Sequence, residues 1–456
     1  MDWTPTLADR PGPTYQRIVE ALSADIAQGR LHRGQQLPTH RALAKALGVD
    51  LTTVTRAYTE ARQRGLTEAR VGQGTFVAEA GAVARPADVA APAFDLSMNL
   101  PPQPLEADLD GRFARGIASI EREGALSAYL NYREPGGLPE ERDQAAAWLA
   151  RRVPHARGER LVICPGTQNA LFDFLTVRAV PGDVVLCETL TYPGLKTAAA
   201  LRGVRLAGVA TDAAGVLPDA LDAACRAHAP KALYLVPTIH NPTAVTMPPA
   251  RRREVADVIR ANDLTLFEDD AYGALAPDAV PLATLIPERT YFAASLSKCI
   301  APGLRVSFLL TPTRDAAAAI ATALRASVQM PVSLTIALIM RWLRDGSADA
   351  VIAAIRNEAA ARQKLAAAAL AGHAYAAHPN GHHVWITLPG HWSRPEFAAH
   401  VQRQGLAVVT SEAFSIGDAP PHAIRVALGA ARSRADLVRA LDILASALRS
   451  SGARVV

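Results

Sequence analysis

One polar turn stands between two apolar, β-rich runs and reads Ser295-Leu296-Ser297-Lys298-Cys299-Ile300-Ala301-Pro302-Gly303-Leu304-Arg305. The run before it covers residues 291–293, and the run after it covers residues 306–310. Lysine is scarce, with 5 lysines against 43 arginines, so few side chains could act as a special amine. A single lysine on a turn is more often a solvated charge. Whether Lys298 is more than that depends on the segments that surround it in the fold.

Strand-like runs alternate with helical stretches between residues 161 and 310. Such alternation predicts an α/β domain with a largely parallel sheet, whose ligands collect at the C-terminal ends of the strands. The predicted strands are residues 161–164, 184–187, 204–209, 232–236, 264–267, 291–293 and 306–310.

Each chemically suggestive segment directly follows one of these predicted strands. A small-residue turn into a helix follows the first strand and could hold a phosphate, although by itself it is better explained as a plain helix cap. An aromatic ring follows the second strand and a polar amide turn the fourth. Three consecutive carboxylates follow the fifth, and their burial is costly unless a cation meets them. The segments are Pro165-Gly166-Thr167, Tyr192-Pro193-Gly194, His240-Asn241-Pro242-Thr243 and Glu268-Asp269-Asp270-Ala271-Tyr272.

This ordered set matches what pyridoxal 5'-phosphate (PLP) requires of a protein. The cofactor needs a lysine for a Schiff base, an acid beside its pyridine nitrogen and donors to its phenolic oxygen. It also needs a stacking ring, and hydroxyls with an arginine for its phosphate. The whole series does not arise readily by chance in this order. The sequence therefore predicts a PLP-binding domain.

From about Phe94 to the C-terminus, the chain resembles the class I/II aminotransferases of PLP fold-type I. The resemblance implies a large domain with a mostly parallel seven-stranded sheet and a small C-terminal α+β domain. It implies that Lys298 carries the internal aldimine and that Asp269 pairs with the pyridine N–H, with Asp270 as the alternative. Lys298, Asp269 and Tyr272 would be the catalytic residues. The other implied cofactor contacts are Asn241 and Tyr272 to the phenolic oxygen, Tyr192 to the ring, and Gly166, Thr167, Ser295, Ser297 and Arg305 to the phosphate.

Two further positions extend this resemblance. Tyr132, in Tyr132-Arg133-Glu134-Pro135-Gly136-Gly137, resembles the tyrosine that reaches the phosphate of the partner subunit, which implies a homodimer. Arg425 resembles the arginine that holds the α-carboxylate of an amino acid in a bidentate fork. The pair His382-His383 could suggest a metal site, but no carboxylate or cysteine lies at ligand spacing. We therefore predict no metal site.

The first 78 residues follow a different pattern. Apolar residues recur every four positions over residues 15–28, which predicts a first helix. Thr39 is placed to cap a short second helix that ends at Gly48, and Asp50 to cap a third that runs to residue 64. Two β-rich runs, residues 66–71 and 75–78, flank Gly72-Gln73-Gly74 and predict a hairpin. Together these elements predict a winged helix-turn-helix.

Three stretches of this segment resemble the GntR superfamily of bacterial regulators. They are Leu37-Pro38-Thr39-His40-Arg41, Val54-Thr55-Arg56-Ala57-Tyr58 and Gly72-Gln73-Gly74-Thr75-Phe76-Val77. The resemblance implies binding to an operator in double-stranded DNA, with the third helix as the recognition helix. Without it, the same polar positions would be read as solvated faces of a small helical domain. The predicted DNA contacts are Arg41, Thr52, Thr53, Thr55, Arg56 and Gln73.

The predicted order is a DNA-binding domain at residues 1–78, a linker at 79–93, a large PLP domain at 94–326 and a small domain at 327–456. This arrangement resembles the MocR-type regulators. Residues 1–85 hold 11 basic against 8 acidic side chains, a modest excess that suits a polyanion partner. We found no signal peptide or membrane span, which predicts a soluble, cytoplasmic protein. Four scattered cysteines suggest neither zinc nor disulfides.

Two functions remain open on this sequence. The favoured one is a transcriptional regulator that senses an amino acid or amine, specifically an amino-group-bearing carboxylate, by aldimine exchange at the cofactor. The alternative is a working class I/II aminotransferase that also carries a DNA-binding segment. An intact lysine, aspartate, tyrosine and arginine set keeps catalysis open. The head weighs against a third hypothesis, an enzyme whose head is merely a structural appendage, because a recognition helix, a wing and a flexible linker have no evident use in an enzyme. The regulator is therefore favoured. The sequence names neither the effector nor the operator.

Overall fold

A computed structural model of the chain describes residues 3–7, 13–32, 34–63, 66–70, 74–77, 92–124, 126–417 and 419–450. The chain divides into two compact units, residues 1–91 and residues 92–456. We call the first the head and the second the body. Most of the predicted linker, residues 79–93, lies outside the described residues, and so does Gln73 of the predicted wing.

The described part of the head is a helical domain with a hairpin. Its elements are α1 (Thr14–Ala27), α2 (His40–Leu47), α3 (Leu51–Gln63), β1 (Thr67–Arg70) and β2 (Gly74–Val77). The Thr39 hydroxyl accepts a hydrogen bond from the Ala42 amide at 3.2 Å and caps α2, as predicted. Gly48 ends α2 at a φ of 64°, which glycine adopts without steric penalty. The antiparallel hairpin pairs Thr67 with Val77. The predicted winged helix-turn-helix is confirmed.

One small apolar core holds the head together. The Tyr58 hydroxyl donates to the Pro38 carbonyl at 3.0 Å and ties α3 to the turn before α2. Because one side of α3 is buried in this core, its other side faces away from the domain. The buried residues include Ile18, Leu22, Leu43, Val54, Ala57, Tyr58 and Val77.

The body begins with β3 (Phe94–Asp95) and is built around a seven-stranded sheet. Each strand of this sheet corresponds to one predicted run. The spatial order is β4-β12-β11-β10-β9-β5-β6, in which β12 alone runs antiparallel to its neighbours. The predicted, mostly parallel sheet is confirmed. The strands between residues 161 and 310 are β4 (Leu161–Cys164), β5 (Val184–Glu188), β6 (Arg205–Val209), the short hairpin β7 (Thr211–Asp212) and β8 (Gly215–Val216), β9 (Ala232–Leu235), β10 (Leu266–Asp269), β11 (Thr290–Ser295) and β12 (Ser307–Leu310).

Helices cover both faces of this sheet. Alternate residues of a strand point to opposite faces, so Leu161 and Ile163 of β4 enter one core while Val162 and Cys164 enter another. Such two-sided burial explains why the predicted runs are apolar without alternation. The helices are α4 (Leu109–Arg122), α5 (Pro139–Leu149), α6 (Thr167–Arg178), α7 (Pro193–Arg202), α8 (Pro218–His228), α9 (Pro249–Ala261), α10 (Arg314–Val328), α11 (Ser333–Arg344) and α12 (Ser347–Ala369).

The C-terminal part forms a separate α+β layer with its own core. Its antiparallel sheet has the order β13-β14-β17-β16. Helix α12 joins the two parts, because Val351 and Ile355 pack in the large core and Ala366 in the C-terminal one. The domain division at residue 327 remains a prediction. Among the described residues, no helix is both long and apolar enough to cross a membrane. The remaining elements are β13 (Tyr375–Ala377), β14 (His383–Thr387), α13 (Arg394–Arg403), β15 (Leu406–Ala407), β16 (Val409–Thr410), β17 (Ala423–Ala427) and α14 (Arg434–Arg449).

Candidate active site and DNA-binding surface

Five strand ends bring polar side chains to one edge of the large sheet. Asp269 and Ser295 are the last residues of β10 and β11. Thr167 begins α6 after β4, Tyr192 precedes α7 after β5, and Asn241 follows β9. Because parallel strands end at the same edge, these predicted residues share one region of the body. This is the edge where ligands bind in α/β folds.

Lys298 lies partly buried in the turn after β11. Its Nζ donates a hydrogen bond to the Asn99 carbonyl at 2.6 Å. Burial, with a smaller contribution from the Arg425 charge, lowers the pKa of Lys298 from 10.5 to about 8, against the opposing effect of Asp269. An amine with this pKa is partly neutral near physiological pH. Only the neutral form acts as a nucleophile.

The two adjacent aspartates have different partners. Both carboxylate oxygens of Asp270 accept from the Arg152 guanidinium, at 2.6 and 2.9 Å. Asp269 accepts from the Tyr234 hydroxyl at 2.8 Å through Oδ2 alone. Its Oδ1 is buried without a hydrogen-bond partner among the described residues. Burial raises the pKa of Asp269 to about 6, and the Tyr234 hydrogen bond opposes that rise. Asp269 therefore retains a free oxygen, whereas Asp270 is committed to an ion pair.

A small cradle forms where α6 begins. Gly166 has a φ of 91°, and a Cβ there would lie 2.5 Å from the Arg305 guanidinium, so the backbone leaves room that a side chain would fill. The Thr167 hydroxyl is buried without a partner among the described residues. The Ser295 hydroxyl accepts from the Ser297 amide at 3.1 Å. The cradle thus combines a helix N-terminus, a guanidinium and hydroxyls, which suits a phosphate group.

Tyr272 and Asn99 form a buried link to Lys298. The Asn99 side-chain amide donates to the Tyr272 hydroxyl at 2.6 Å, while the Asn99 carbonyl accepts from Lys298. Burial raises the pKa of Tyr272 well above its usual value, so its hydroxyl stays protonated. Asn99 belongs to the segment that follows β3. Nothing in the sequence near Lys298 indicated this partner, because the contact spans 199 positions.

Arg425 approaches the site from β17 of the C-terminal part. Its Nη1 donates to the Asn241 side-chain oxygen at 2.8 Å, and its Nη2 donates to the Ser97 carbonyl. Its Nε is buried without a partner among the described residues. Phe414 lies beneath the guanidinium, at 4.9 Å from its carbon. Burial lowers the pKa of this guanidinium, which indicates that an anion would be favourable here.

The histidine pair noted in the sequence lies against this site. His382 Nε2 lies 2.6 Å from the Lys298 carbonyl oxygen, and His383 Nε2 lies 3.1 Å from the His240 carbonyl oxygen. His383 Nδ1 also contacts the Asn99 side chain at 3.1 Å. Burial lowers the pKa of both imidazoles, to about 4 for His382. Both rings are therefore neutral and hold the backbone of the Lys298 and His240 turns.

The two remaining predicted tyrosines have contrasting environments. Tyr192 is partly buried, and burial together with the nearby Asp269 charge raises the pKa of its hydroxyl. Tyr132 is 83% exposed and forms no hydrogen bond with the described residues of its own chain. Exposed apolar side chains accompany it, including Leu130, which is 86% exposed. This is the surface from which a tyrosine could reach a second subunit.

The predicted DNA contacts lie on the exposed side of the head. Thr52, Thr55, Arg56 and Arg41 are exposed, and Thr53 is partly exposed. The Arg56 guanidinium stacks 4.0 Å above the Tyr15 ring centre, which holds it over the surface. Two polar neighbours of these residues were not predicted from the sequence: Lys45, which shares an open cleft with Thr53, and His40, whose Nδ1 lies 3.2 Å from the Thr55 hydroxyl.

Known proteins match both units. Residues 95–444 match the family described as Aminotransferase class I and II, and residues 14–77 match Bacterial regulatory proteins, gntR family. The chain is 30% identical to the uncharacterized HTH-type transcriptional regulator YdeF of Bacillus subtilis, over 97% of this chain and 96% of that protein. It is 28% identical to the vitamin B6 salvage pathway transcriptional repressor PtsJ of Salmonella typhimurium, over 91% of this chain and 94% of that protein.

A solved structure matches the body. The α-aminoadipate aminotransferase LysN of Thermus thermophilus, complexed with N-(5'-phosphopyridoxyl)-L-leucine, is 25% identical, with a TM-score of 0.71 over 78% of this chain and 92% of that chain. The fold, the lysine turn and the family match together define the body as a class I and II aminotransferase domain of fold-type I. With its GntR-family head, the chain belongs to the MocR-type transcriptional regulators.

Proposed function

We propose that the chain is a PLP-dependent regulator that recognises an amino-group-bearing carboxylate between Lys298 and Arg425 and changes its DNA binding in response. One observation carries this proposal. Lys298 donates to the Asn99 carbonyl and Arg425 donates to the Ser97 carbonyl, so both cations hold the same short backbone segment. A carboxylate bound by Arg425 must compete for the Ser97 contact, and a cofactor attached to Lys298 must compete for the Asn99 contact. That segment continues through residues 79–93 to the head.

The residues of the site fit PLP on two observations. The unpartnered Oδ1 of Asp269 can accept the pyridine N–H, and the unpartnered Thr167 hydroxyl can donate to the phosphate beside Gly166. Asn241 uses its side-chain oxygen for Arg425, which leaves its Nδ2 as a donor to the phenolic oxygen, shared with Tyr272. Tyr192 would lie on the ring. The remaining phosphate contacts would be Ser295, Ser297 and Arg305.

When bound, PLP supplies an electrophilic carbon that a primary amine can attack. The protein's part is to hold Lys298 in a partly neutral form and to present Arg425 to a carboxylate. The Arg425 guanidinium offers its free Nε and, once Ser97 is displaced, its Nη2 as a fork for two carboxylate oxygens. A ligand with both an amino group and a carboxylate is therefore preferred to a simple amine.

The response to ligand would pass through residues 94–99, which we call the arm. β3 of the arm pairs with β15 and Leu96 is buried in the C-terminal core, so the end of the arm that joins the linker is packed against the C-terminal part. Only its outer end contacts the two cations, through Ser97 and Asn99. Because the linker joins the arm at Phe94, displacement of that end would act on the linker through β3. The arm would then have two positions, one with its contacts to Lys298 and Arg425 intact and one with them displaced. Ligand binding and DNA binding would be coupled by the difference in ligand affinity between these two positions.

We further propose that the functional unit is a homodimer bound to an operator in double-stranded DNA. Exposed Tyr132 and Leu130 support a subunit interface on this surface, and a two-fold dimer with Tyr132 reaching the partner's site would give two composite sites. It would also carry two heads. Each head would place α3 in a major groove, with Arg41, Thr52, Thr53, Thr55 and Arg56 on the DNA side and Gln73 in the wing.

The test combines a spectrum with a DNA-binding assay on the full chain. PLP-loaded protein should absorb visible light, and adding an effective amino acid should change that absorption and shift operator affinity measured by fluorescence anisotropy. Lys298→Ala should abolish both effects. Lys364→Ala, an exposed lysine on α12, is the matched control and should behave as wild type. A borohydride-reducible adduct that persists in Lys298→Ala would place the cofactor on another lysine and refute the assignment.

A second function, transamination, is favoured by the complete set of catalytic groups around Lys298. If the chain is a working aminotransferase, it should convert an amino acid and a keto acid over many turnovers. The discriminating result is multiple-turnover transamination together with an operator affinity and footprint that no amino acid changes. That outcome would place the enzyme ahead of the regulator.

A further inference from the structure

A second cavity lies behind the candidate active site, between α5, α12 and the turn that follows β10. Its volume is about 360 Å³, which falls within the range of small-molecule pockets. One face of α12 supplies Asp349, Ile352, Ala353 and Arg356, at the spacing of successive helical turns. The end of α5 and the turn after it supply the opposite wall. The apolar lining includes Trp148, Leu149, Ala274, Pro277, Ile352 and Ala353.

The charged groups of this cavity do not balance. Arg152 is paired with Asp270, and the two terminal guanidinium nitrogens of Arg151 each donate to Asp349 at 2.9 Å. Arg356 is partly buried and has no hydrogen bond or ion pair among the described residues of the chain. The lining therefore carries one guanidinium without a counter-charge. A guanidinium held at an apolar wall favours an anion, because burial without a partner is costly.

The wall nearest the cofactor region is tightly built. A Cβ at Gly273 would lie 1.8 Å from an Asp270 oxygen and 2.5 Å from Arg152 Nε, so only glycine allows the Asp270–Arg152 pair to form here. Ala294 and Ser295 of β11 complete this wall. The Asp270–Arg152 ion pair thus forms the polar wall on this side of the cavity.

We propose that this cavity binds a small monocarboxylate with an apolar, preferably aromatic, body. Its carboxylate would pair with Arg356, and its ring would lie along Trp148 and Ile352. One negative charge matches the single unpaired guanidinium. The ligand needs no amino group, because no lysine or unpaired acid lines the cavity in the part of the chain that the structure describes. It is therefore a different chemical class from the amino carboxylate proposed for Lys298 and Arg425.

The test is calorimetric titration of the PLP-loaded full chain with 4-phenylbutyrate and, in parallel, with its uncharged amide. We expect one binding event per chain for the acid and at least tenfold weaker binding for the amide. Arg356→Gln should weaken binding of the acid at least tenfold. Arg253→Gln, an exposed arginine on α9 outside the cavity, is the matched control and should leave it unchanged. Ala353→Phe should fill the cavity and abolish binding.

The same titration in Arg425→Gln separates this site from the amino-carboxylate site. Binding that persists in Arg425→Gln and fails in Arg356→Gln supports the second site. Binding that disappears in Arg425→Gln belongs to the candidate active site and overturns the proposal. So do equal affinities for acid and amide, an unchanged affinity in Arg356→Gln or Ala353→Phe, and an absence of binding at about 10 mM acid, the level of a very weak complex.

Discussion

Replacing each of the adjacent aspartates by asparagine should change the stability of the cofactor-free body in opposite directions. Burial raises the pKa of Asp269 from 3.8 to about 6 in the folded protein. At about 1.4 kcal/mol for each pKa unit, ionised Asp269 costs about 3 kcal/mol at pH 8, where both the folded and unfolded carboxyls are charged. Asp269→Asn removes the buried charge and keeps an oxygen for the Tyr234 hydroxyl. It should therefore stabilise the cofactor-free body by up to about 3 kcal/mol.

Asp270→Asn has the reverse effect. It leaves the Arg152 guanidinium, whose side chain is 14% exposed, without its counter-charge. Removing one member of a buried ion pair typically costs about 3–5 kcal/mol. This loss of stability should appear with and without cofactor, because Asp270 stabilises the fold through its ion pair with Arg152. By contrast, PLP affinity should fall at least tenfold in Asp269→Asn, which lacks a carboxylate for the pyridine nitrogen.

Urea unfolding followed by tryptophan fluorescence measures these changes, since four of the five tryptophans lie in the body. The gain in Asp269→Asn should also depend on pH. The carboxyl has a raised folded pKa, so its cost is absent below pH 3.8, grows as pH rises to about 6 and is complete above that. The gain should therefore shrink between pH 8 and pH 5. Two variants that destabilise the body equally, or a gain that is constant with pH, would refute the separation of roles.

Further outcomes follow for the cofactor lysine, the head and the phosphate cradle. The rate of PLP loading should rise with pH around an inflection near 8, because burial lowers the pKa of Lys298 to about 8. A loading rate that does not change with pH, measured by stopped-flow absorbance, would contradict this. Arg41→Ala or Arg56→Ala should weaken operator binding by about 1–3 kcal/mol if the arginine reads a base, and salt-insensitive anisotropy would contradict DNA binding. Gly166→Ala should lower stability by about 1 kcal/mol or more, because alanine is strained at a positive φ. It should also weaken PLP binding measured by titration, since its Cβ meets Arg305.

The sequence predicted the sheet well because local composition controls it. Runs such as residues 161–164 are apolar on both faces, and they match strands buried between two helical layers. The helix caps were equally local. Thr39 lies three residues before its hydrogen-bond partner, and Gly48 ends the same helix. Interactions between residues this close in the chain can be predicted from the sequence.

The contacts that complete the site could not be predicted in this way. Asn99 meets Lys298 across 199 positions, and Arg152 meets Asp270 across 118. The adjacent aspartates are identical in local sequence terms, so only the distant arginine distinguishes them. The Tyr234 hydroxyl on the neighbouring strand likewise became visible only with the register of β9 and β10. Tertiary packing decides these pairings, and a single sequence does not record them.

The arm can supply a regulatory signal of useful size. Hydrogen bonds to charged groups contribute about 1.5–3 kcal/mol each, and the arm receives one from Lys298 and one from Arg425. A tenfold change in operator affinity needs about 1.4 kcal/mol of coupling. Loss of one such hydrogen bond is therefore enough for a tenfold change in operator affinity. This requires that the ligand takes the place of the hydrogen bond in only one of the two positions of the arm, in place or displaced. Under the proposed function, the cofactor on Lys298 competes for the Asn99 contact and the ligand carboxylate competes for the Ser97 contact, whereas an amine alone leaves Arg425 on the Ser97 carbonyl. Under the proposed function, the carboxylate, and not the amino group alone, is therefore the feature that would release Ser97 from Arg425.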